Sequence, residues 1–570
     1  MRTRTLNLTL ISAAALFGWL LVPAARSQPA PAEESAPATL DLAELQRAVK
    51  ELESGEPERA RERLERLADH PEANRQVFLS LGRAYSRLGR HPEAVGALVK
   101  ALRFRENDYE VVIELAETLR RQALAANQEG DYETAGMALE DARRFFEQAG
   151  ELRPTEAAPW LGASRVAQTL GDPDEALRLV VQATEVDPEH VEAQIELGFQ
   201  RFGIFWRLKG MEGDEAARDA GELCRRAYAR ALELDPKNGL AMNGLAWVAM
   251  HSDEQEQAID WFKRSLLADP TLADSYDNLM RLHSDSIEAK KRYVQSLGAV
   301  VAAARSFGQG EERRFARAFS LYQRGLAEVA ARDVEALRRD FTEAAKVDES
   351  FEAACRFQIA RGLYRDNQYA EAAGLILAQA TDDLTALLDV IASEADGREA
   401  VLMIRGLGDK RFRSSELDQA RELFRIAAEA QDDSVSDWNN YAFLCRETAH
   451  YEESYAAYTR ALELDPGNPA LLNDAALILH YHLHRDLDLA RQMYAQAIEE
   501  GERILAGGAG EAGEDEAEPD ASDRESATIA VRDAKNNLKR LEAGIMSEEP
   551  PPRPERPKRR KPADQQPAGE

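Results

Sequence analysis

A short phrase that ends in proline recurs along this chain, and its spacing limits the folds that the chain can adopt. The phrase occupies residues 151–154, 185–188, 233–236, 267–270 and 463–466. Pro154 and Pro188 are 34 residues apart, and so are Pro236 and Pro270. Apolar residues between the phrases recur with the period of a helix, and alternating strand patterns are nearly absent. Because proline ends a helix, this pattern predicts repeated helical units whose length equals that spacing.

Large and small residues hold fixed places within the unit. The most complete copy consists of Trp160, Gly171, Ala176, Val180, Ala183 and Pro188. In this pattern the chain resembles the tetratricopeptide-repeat family, whose unit of about 34 residues is a helical hairpin closed by proline. The resemblance implies an all-α fold, a right-handed superhelical solenoid of stacked hairpins. Stacking is needed because one hairpin cannot bury its apolar face alone.

Two intervals between phrases are longer than the repeat unit. One runs from Glu106, which takes the place of proline, to Pro154, and the other runs from Pro188 to Pro236 and has the same length. The excess over one unit is about two heptads, which would lengthen both helices of a hairpin by about two turns. The sequence therefore predicts elongated hairpins at 107–154 and 189–236.

The proline phrase is clear in some parts of the chain and missing from others, and this difference predicts how the chain is organised. Clear phrases are missing in the middle of the chain, and beyond Leu505 the composition becomes acidic and later basic and rich in proline. Such segments do not bury enough apolar surface to fold. The predicted parts are an N-terminal array at 41–270, degenerate helical repeats at 271–349, a C-terminal array at 350–505, an acidic disordered insertion at 506–526, a capping helix at 527–545 and a basic disordered tail at 546–570.

The N-terminus has the pattern of a secretory signal. Two arginines precede an apolar run from Leu6 to Val22, and small residues flank a cleavage point before Gln28. A membrane-spanning helix needs about 20 apolar residues, which is more than this run supplies, so an uncleaved inner-membrane anchor is the weaker alternative. We expect a signal peptide at 1–27 and a flexible leader at 28–40, with export to the periplasm, cell envelope or medium.

Charge and cysteine content restrict the partners. The chain has 72 basic and 102 acidic residues, a formal charge of -30, which repels nucleic acid and anionic membranes. The expected partner is therefore a protein or an extended peptide of basic character. The cysteines lie more than eighty residues apart in apolar stretches, which predicts three free, buried thiols.

Catalytic and cofactor motifs are missing from the sequence. It contains no nucleophile elbow and no phosphate-binding loop, and no glycine-rich dinucleotide fingerprint follows a strand pattern. We therefore predict no enzymatic activity and no cofactor. The one suggestion of a metal site is His480 and His484, which would share a helix face but lack a third ligand at motif spacing.

Two groups of residues are candidates for partner binding. Asparagines early in the first helix of a hairpin would line the solenoid's groove, as the resemblance implies, and an amide can both donate to and accept from a peptide backbone. These asparagines are Asn243, Asn278, Asn439, Asn440 and Asn473; the alternative is helix capping or simple exposure. The second group is a candidate apolar docking patch of Phe199, Phe202, Phe205 and Trp206, which would otherwise cover the next hairpin.

These observations predict an exported scaffold that binds a partner peptide or protein in the groove of a tetratricopeptide-repeat superhelix. The alternative is an accessory subunit or enzyme that acts on cell-envelope polymers, with an unrecognised site in 271–349. Converging titratable groups in a pocket there would favour the enzyme, and an open groove lined by asparagine and acidic residues would favour the scaffold.

Overall fold

The structure of the chain is a computed structural model that describes residues 40–211, 214–393, 397–506 and 521–547. Every regular element within these ranges is a helix, and none is a strand. The all-α prediction is therefore confirmed. The predicted signal peptide, nearly all of the leader, and most of the acidic insertion and basic tail lie outside the described residues.

The helices form two compact units, with the boundary between Ala193 and Gln194. The first unit contains α1 Leu42–Glu53, α2 Pro57–Ala68, α3 Arg75–Arg87, α4 His91–Leu102, α5 Tyr109–Gln128, α6 Tyr132–Leu152, α7 Ala157–Thr169 and α8 Pro173–Val186. Consecutive helices pair as hairpins, and the odd-numbered member of each pair is called its first helix.

The second unit continues the same alternation from α9, which begins just before the boundary. Its helices are α9 Val191–Met211, α10 Asp214–Leu234, α11 Gly239–His251, α12 Gln255–Ala268, α13 Ala273–Leu282, α14 Ile287–Ala304, α15 Gly310–Ala331, α16 Val334–Val347, α17 Glu352–Arg365, α18 Tyr369–Ser393, α19 Gly397–Arg413, α20 Leu417–Ala430, α21 Val435–Glu447, α22 Tyr451–Leu464, α23 Pro469–Leu477, α24 Leu487–Leu505 and α25 Ala521–Glu542.

Small residues allow neighbouring helices to pack closely, both within a hairpin and between successive hairpins. A Cβ atom on Gly82 of α3 would lie 2.6 Å from Cγ of Leu98 on α4, and one on Gly162 of α7 would overlap the ring of Phe146. Carbon atoms cannot approach so closely, so these crossings require glycine. The turn between α7 and α8 uses Gly171 at φ 80°, where glycine has no steric penalty.

Longer helices occur where the sequence predicts elongated hairpins. Helix α5 has 20 residues and α6, α9 and α10 have 21 each, whereas α7 and α11 have 13 and α8 and α12 have 14. The difference of seven or eight residues corresponds to about two turns, or roughly 10 Å of additional length.

Helix α25 covers the end of the second unit by packing on α23 and α24. Its buried face includes Ala527, Val531, Ala534 and Leu541. The helix begins at Ala521, six residues before the predicted start, and ends at Glu542 rather than 545. Residues 521–526 therefore belong to a helix and not to the acidic insertion. The apolar pattern did not reveal them, because this first part of the helix is exposed and polar.

Helix α18 contains a break that the sequence analysis did not predict. Asp383 has an extended backbone, with φ -159° and ψ 96°, and its carboxylate accepts a hydrogen bond from the backbone N–H of Ala386. The side chain therefore caps a new helical segment at this point.

The three cysteines are buried within the second unit and form no disulfide. Burial raises the pKa of Cys224 and Cys355 to about 12 and that of Cys445 to about 11. The prediction of free, buried thiols is confirmed, and each thiol is held in its unreactive protonated form.

Candidate functional site: an aromatic surface on the first helices

A group of five aromatic rings lies on α9 and α11, and four of them contact one another. Phe199, Phe202 and Trp206 follow one another at spacings of three and four residues, so they share one face of α9. Trp247 and His251 are one turn apart on α11. The ring centres of Phe202 and Trp247 are 6.0 Å apart, and those of Trp206 and His251 are 4.5 Å apart. We call these five residues the aromatic surface.

The aromatic surface is partly open to solvent. Phe199 is 51% exposed and Trp206 is 55% exposed, while Phe202, Trp247 and His251 are half-buried. Partly exposed aromatic side chains that share one surface are typical of sites that bind proteins or ligands. Three members of the predicted docking patch are therefore accessible in the structure.

Phe205, the fourth member of that predicted patch, is only 3% exposed and packs in the core of the second unit. One residue corresponds to about 100° of helix rotation, so Phe205 points away from the face that carries Trp206. Its ring packs against α10 near Gly221, 3.4 Å from the position of a Cβ on that glycine. Phe205 is therefore a core residue and not part of the docking surface.

The histidine in this surface has a lowered pKa, which favours its neutral form. Partial burial, reinforced by Lys209 and Arg281, lowers the pKa of His251. Lys209 donates a hydrogen bond to the backbone carbonyl of His251 and pairs with Asp253 at 3.2 Å. The imidazole therefore acts as a fifth uncharged ring, and the nearest ammonium group is already engaged by the protein.

Carboxylates lie on the next first helix, α13. Asp277 follows Asn243 by 34 residues and Arg281 follows Trp247 by 34, so each pair holds the same place in successive repeats. Side chains join the two helices, since Arg281 Nη2 lies 3.3 Å from Met250 Sδ. Asp274 and Asp277 are exposed, and partial burial followed by repulsion from Asp274 raises the pKa of Asp277. Negative charge therefore lies on the first helix next to the aromatic surface, while the cations Lys209 and Arg281 lie near His251.

Most of the predicted asparagines bind their own protein. Oδ1 of Asn243 accepts a hydrogen bond from Ser275 at 3.1 Å. Asn278 is buried, donates to the backbone carbonyl of Asp274 and accepts from Arg281. Asn278 therefore does not present its amide to a partner, because the close packing of α13 encloses it.

Asn473 is also buried, since α25 covers it and Asn537 donates a hydrogen bond to its Oδ1 at 3.0 Å. Asn439 and Asn440 on α21 are half-buried and have no side-chain hydrogen bond to other residues that the structure describes. None of the five asparagines is a helix cap, a role that Asn74, Asn238 and Asn468 perform instead.

The two candidate metal ligands do not share a helix face. His480 belongs to a π-helical segment, Ile478–Leu483, and His484 ends it with a left-handed backbone at φ 51°. His480 is buried, its Nε2 lies 2.9 Å from the carbonyl oxygen of Ile545, and burial lowers its pKa. Across the described ranges no three His, Cys, Asp or Glu side chains come together as a metal site would require.

Titratable groups do converge in the degenerate region, at the contact between α15 and α16. Arg324 binds the buried carboxylate of Asp340, with Nη2 2.8 Å from Oδ1, and Glu328 is buried beside them. A depression of 730 Å³ borders this cluster, and several of its charged side chains pair with other residues, as Arg338 does with Glu371 at 2.6 Å. These contacts give the cluster a structural role.

Family comparisons match several parts of the chain. Sequence models of the tetratricopeptide repeat match residues 45–109, 114–189, 225–273 and 438–468. This chain is a tetratricopeptide-repeat protein. The predicted family and fold class are thus confirmed, and the segment 225–273 includes α11 with Trp247 and His251. In the part of the chain that the structure describes, no helix has the length and apolar character needed to cross a membrane.

Solved structures resemble segments of this tetratricopeptide-repeat protein. MamA from Desulfovibrio magneticus RS-1, residues 41 to the end, is 18% identical, with 35% of this chain and 98% of that chain covered and a TM-score of 0.27. A thermophilic TPR protein of Thermus thermophilus is 20% identical, with 37% and 98% covered and a TM-score of 0.30. The pilF protein of Pseudomonas aeruginosa is 14% identical, with 44% of this chain and 96% of that chain covered and a TM-score of 0.31. No curated protein sequence matches the chain.

Trp247 and His251 are the site residues that sequence reasoning missed. The separation of Phe199 and Trp247 in sequence equals that of Pro188 and Pro236, the length of the elongated unit, so the two rings occupy equivalent places. Alignment of the first helices by repeat position would have placed both rings on one face. The contact between Phe202 and Trp247 could not be predicted, because it depends on how α9 and α11 pack.

Proposed function

We propose that this tetratricopeptide-repeat protein is an exported scaffold that binds an extended segment of a partner protein on the aromatic surface. Proteins with these repeats bind protein or peptide partners and are generally not catalytic. The observation that supports this particular site is the mutual contact of four rings on neighbouring first helices, those of Phe202, Trp206, Trp247 and His251. Trp206 is about half exposed, and so is Phe199, one turn before Phe202 on α9. Aromatic anchors of this kind supply much of the binding energy at protein interfaces.

The chemistry of the site favours a partner segment that is basic. Aromatic faces attract guanidinium and ammonium groups, and Asp274 and Asp277 add negative charge on the next first helix. The charge of -30 on the whole chain acts in the same direction over longer distances. An extended segment is preferred because it can contact successive first helices in turn.

Export is part of the proposal and is supported by the N-terminal sequence. The two arginines, the apolar run and the small residues before Gln28 form a secretory signal, and removal of 1–27 would release the chain into the periplasm or cell envelope. N-terminal sequencing of the protein recovered from its source organism tests this part. A mature chain that begins near Gln28 is expected, whereas a chain that retains its first residues in the membrane fraction would contradict it.

Replacement of both Phe199 and Trp206 by alanine is expected to weaken partner binding by roughly 10- to 100-fold, since each ring is a candidate anchor. Both side chains are about half exposed, so the helical circular dichroism should not change. Affinity capture with the full-length protein, quantified by mass spectrometry, measures the effect. The matched control is Tyr132→Ala on α6, because Tyr132 is 74% exposed and belongs to the first unit.

Partners that are lost with Phe199→Ala/Trp206→Ala but retained with Tyr132→Ala would support the site. Equal recovery of every partner with all three proteins would contradict it. Loss of partners with Tyr132→Ala alone would indicate that the binding site lies on the hairpin of α5 and α6.

Partner association should slow as ionic strength rises from low to physiological values. Exposed charges more than about 8 Å apart are screened at 0.15 M salt, and complementary charge acts mainly on the rate of encounter. The association rate should therefore fall more than the dissociation rate rises. Surface plasmon resonance with a captured partner measures both rates, and an association rate that does not change with salt would show that the partner is not selected by charge.

A further inference from the structure

We propose that the aromatic surface also binds the C-terminal tail of a second copy of this chain, through residues 550–563. This inference rests on the proposed function, because it assigns an occupant to the same site. The segment 550–563, called the basic proline segment, lies outside the described residues and begins three residues after the last of them, Ser547.

The composition of the basic proline segment fits the aromatic surface. It contains six prolines and six basic residues and one acidic residue, Glu555. Proline-rich sequences favour the polyproline II helix, which has three residues per turn and no internal hydrogen bonds. Aromatic-lined surfaces bind such helices with little loss of entropy, because the peptide is already extended.

The aromatic surface offers contacts to both kinds of side chain. Proline rings can pack on the surface that Phe202, Trp206 and Trp247 form, since each of these rings contacts His251. Arginine side chains of the segment can stack on the exposed faces of Phe199 and Trp206. The carboxylates of Asp274 and Asp277 lie on the next first helix, where further basic residues of the segment would meet them.

The length of the tail favours a second copy over the same molecule. Sixteen residues separate Ser547 from the end of the segment and span at most about 55 Å. Helix α25 is eight first helices beyond α9 in the order of the array. At about 8–10 Å for each packed helix, the path back along the array is roughly 65–80 Å, so a tail that follows the array does not reach the aromatic surface of its own molecule.

A contact of this kind joins two different surfaces of the same protein. Each molecule has one aromatic surface and one tail, so such a contact is heterologous and adds molecules head to tail. The assembly should grow with protein concentration. Occupation by a tail would also compete with an external basic partner for the aromatic surface.

Sedimentation velocity of the full-length protein, at about 50 mM salt so that charge is not screened, tests the proposal. The average mass of the wild-type protein should rise with concentration. Two variants should remain monomeric: Phe199→Ala/Trp206→Ala, which alters the surface, and Arg556→Gln/Lys558→Gln/Arg559→Gln/Arg560→Gln, which alters the tail. Tyr132→Ala should associate as the wild type does.

An equimolar mixture of the two variants shows whether each variant failed to associate because it lost one half of the contact or because it misfolded. The tail variant retains an intact aromatic surface and the surface variant retains an intact tail, so together they should form one contact and stop at a heterodimer. A wild-type protein that stays monomeric up to about 100 μM would overturn the proposal, as would variants that associate like the wild type or a mixture that remains monomeric.

The proposed function can be separated from this inference. If the wild-type protein is monomeric while Phe199→Ala/Trp206→Ala loses its external partner, the tail does not occupy the site and the scaffold proposal stands. If the tail contact forms but external partners bind Phe199→Ala/Trp206→Ala as well as they bind the wild type, the tail occupies the site and the scaffold proposal fails there.

Discussion

Replacement of Arg405 by methionine is expected to reduce the free energy of unfolding by about 3–5 kcal/mol. Arg405 on α19 binds Asp437 in the first turn of α21, with Nε 2.9 Å from Oδ2, and its Nη2 also reaches Gln431 at 3.0 Å. Asp437 is only 1% exposed. Methionine would leave this carboxylate buried without its cation.

Two comparisons isolate the cause in urea titrations followed by circular dichroism. The double variant Arg405→Met/Asp437→Leu should recover most of the loss, because it removes both charges together. Arg361→Met should cost at most about 1 kcal/mol, since its partner Glu399 has a side chain that is 46% exposed. Equal losses for Arg405→Met and Arg361→Met would show that burial of Asp437 does not determine the energy of the pair.

Replacement of Glu328 by glutamine is expected to stabilise the protein increasingly as pH rises above 5. Glu328 is 2% exposed, and burial, with a contribution from Asp340, raises its pKa from an ordinary value of 4.5 to about 8. Between these values the folded chain keeps a proton that the unfolded chain has lost, so stability falls as pH rises. Glutamine resembles the neutral acid and does not titrate.

The measurement is the difference in unfolding free energy between variant and wild type at pH 5 and pH 8. Each unit of pKa shift corresponds to about 1.4 kcal/mol, so the advantage of glutamine should grow by up to about 4 kcal/mol over this range. Subtraction removes the other groups that titrate in both proteins. A difference that does not change with pH would mean that Glu328 is ionised in the fold, held by Arg324 and Arg339.

The repeating backbone plan could be predicted from the sequence because it depends on local signals. Proline phrases mark the ends of hairpins, and small residues such as Gly82 mark helix crossings. The break at Asp383 had no such signal, since the residue looks like any exposed acid on a helix. Its capping role becomes visible only when the backbone is known.

The accessibility of individual side chains could not be predicted to the same extent. Asn473 and Asn537 are far apart in sequence, yet they form a hydrogen bond that closes off the former. Asn278 is closed off by Arg281 in a similar way. Repeat position identifies which side chains face a neighbouring first helix, but only packing decides whether that neighbour or a partner binds them.

A photo-crosslinking amino acid at position 199, introduced into the full-length protein in its source organism, tests whether a partner binds the aromatic surface. We expect a covalent adduct with another protein at position 199, because the side chain there is exposed within the aromatic surface. The same amino acid at position 132 serves as the comparison, since Tyr132 is more exposed but lies outside this surface. Adducts at 132 and none at 199 would contradict the claim that the first helices α9 and α11 bind the partner.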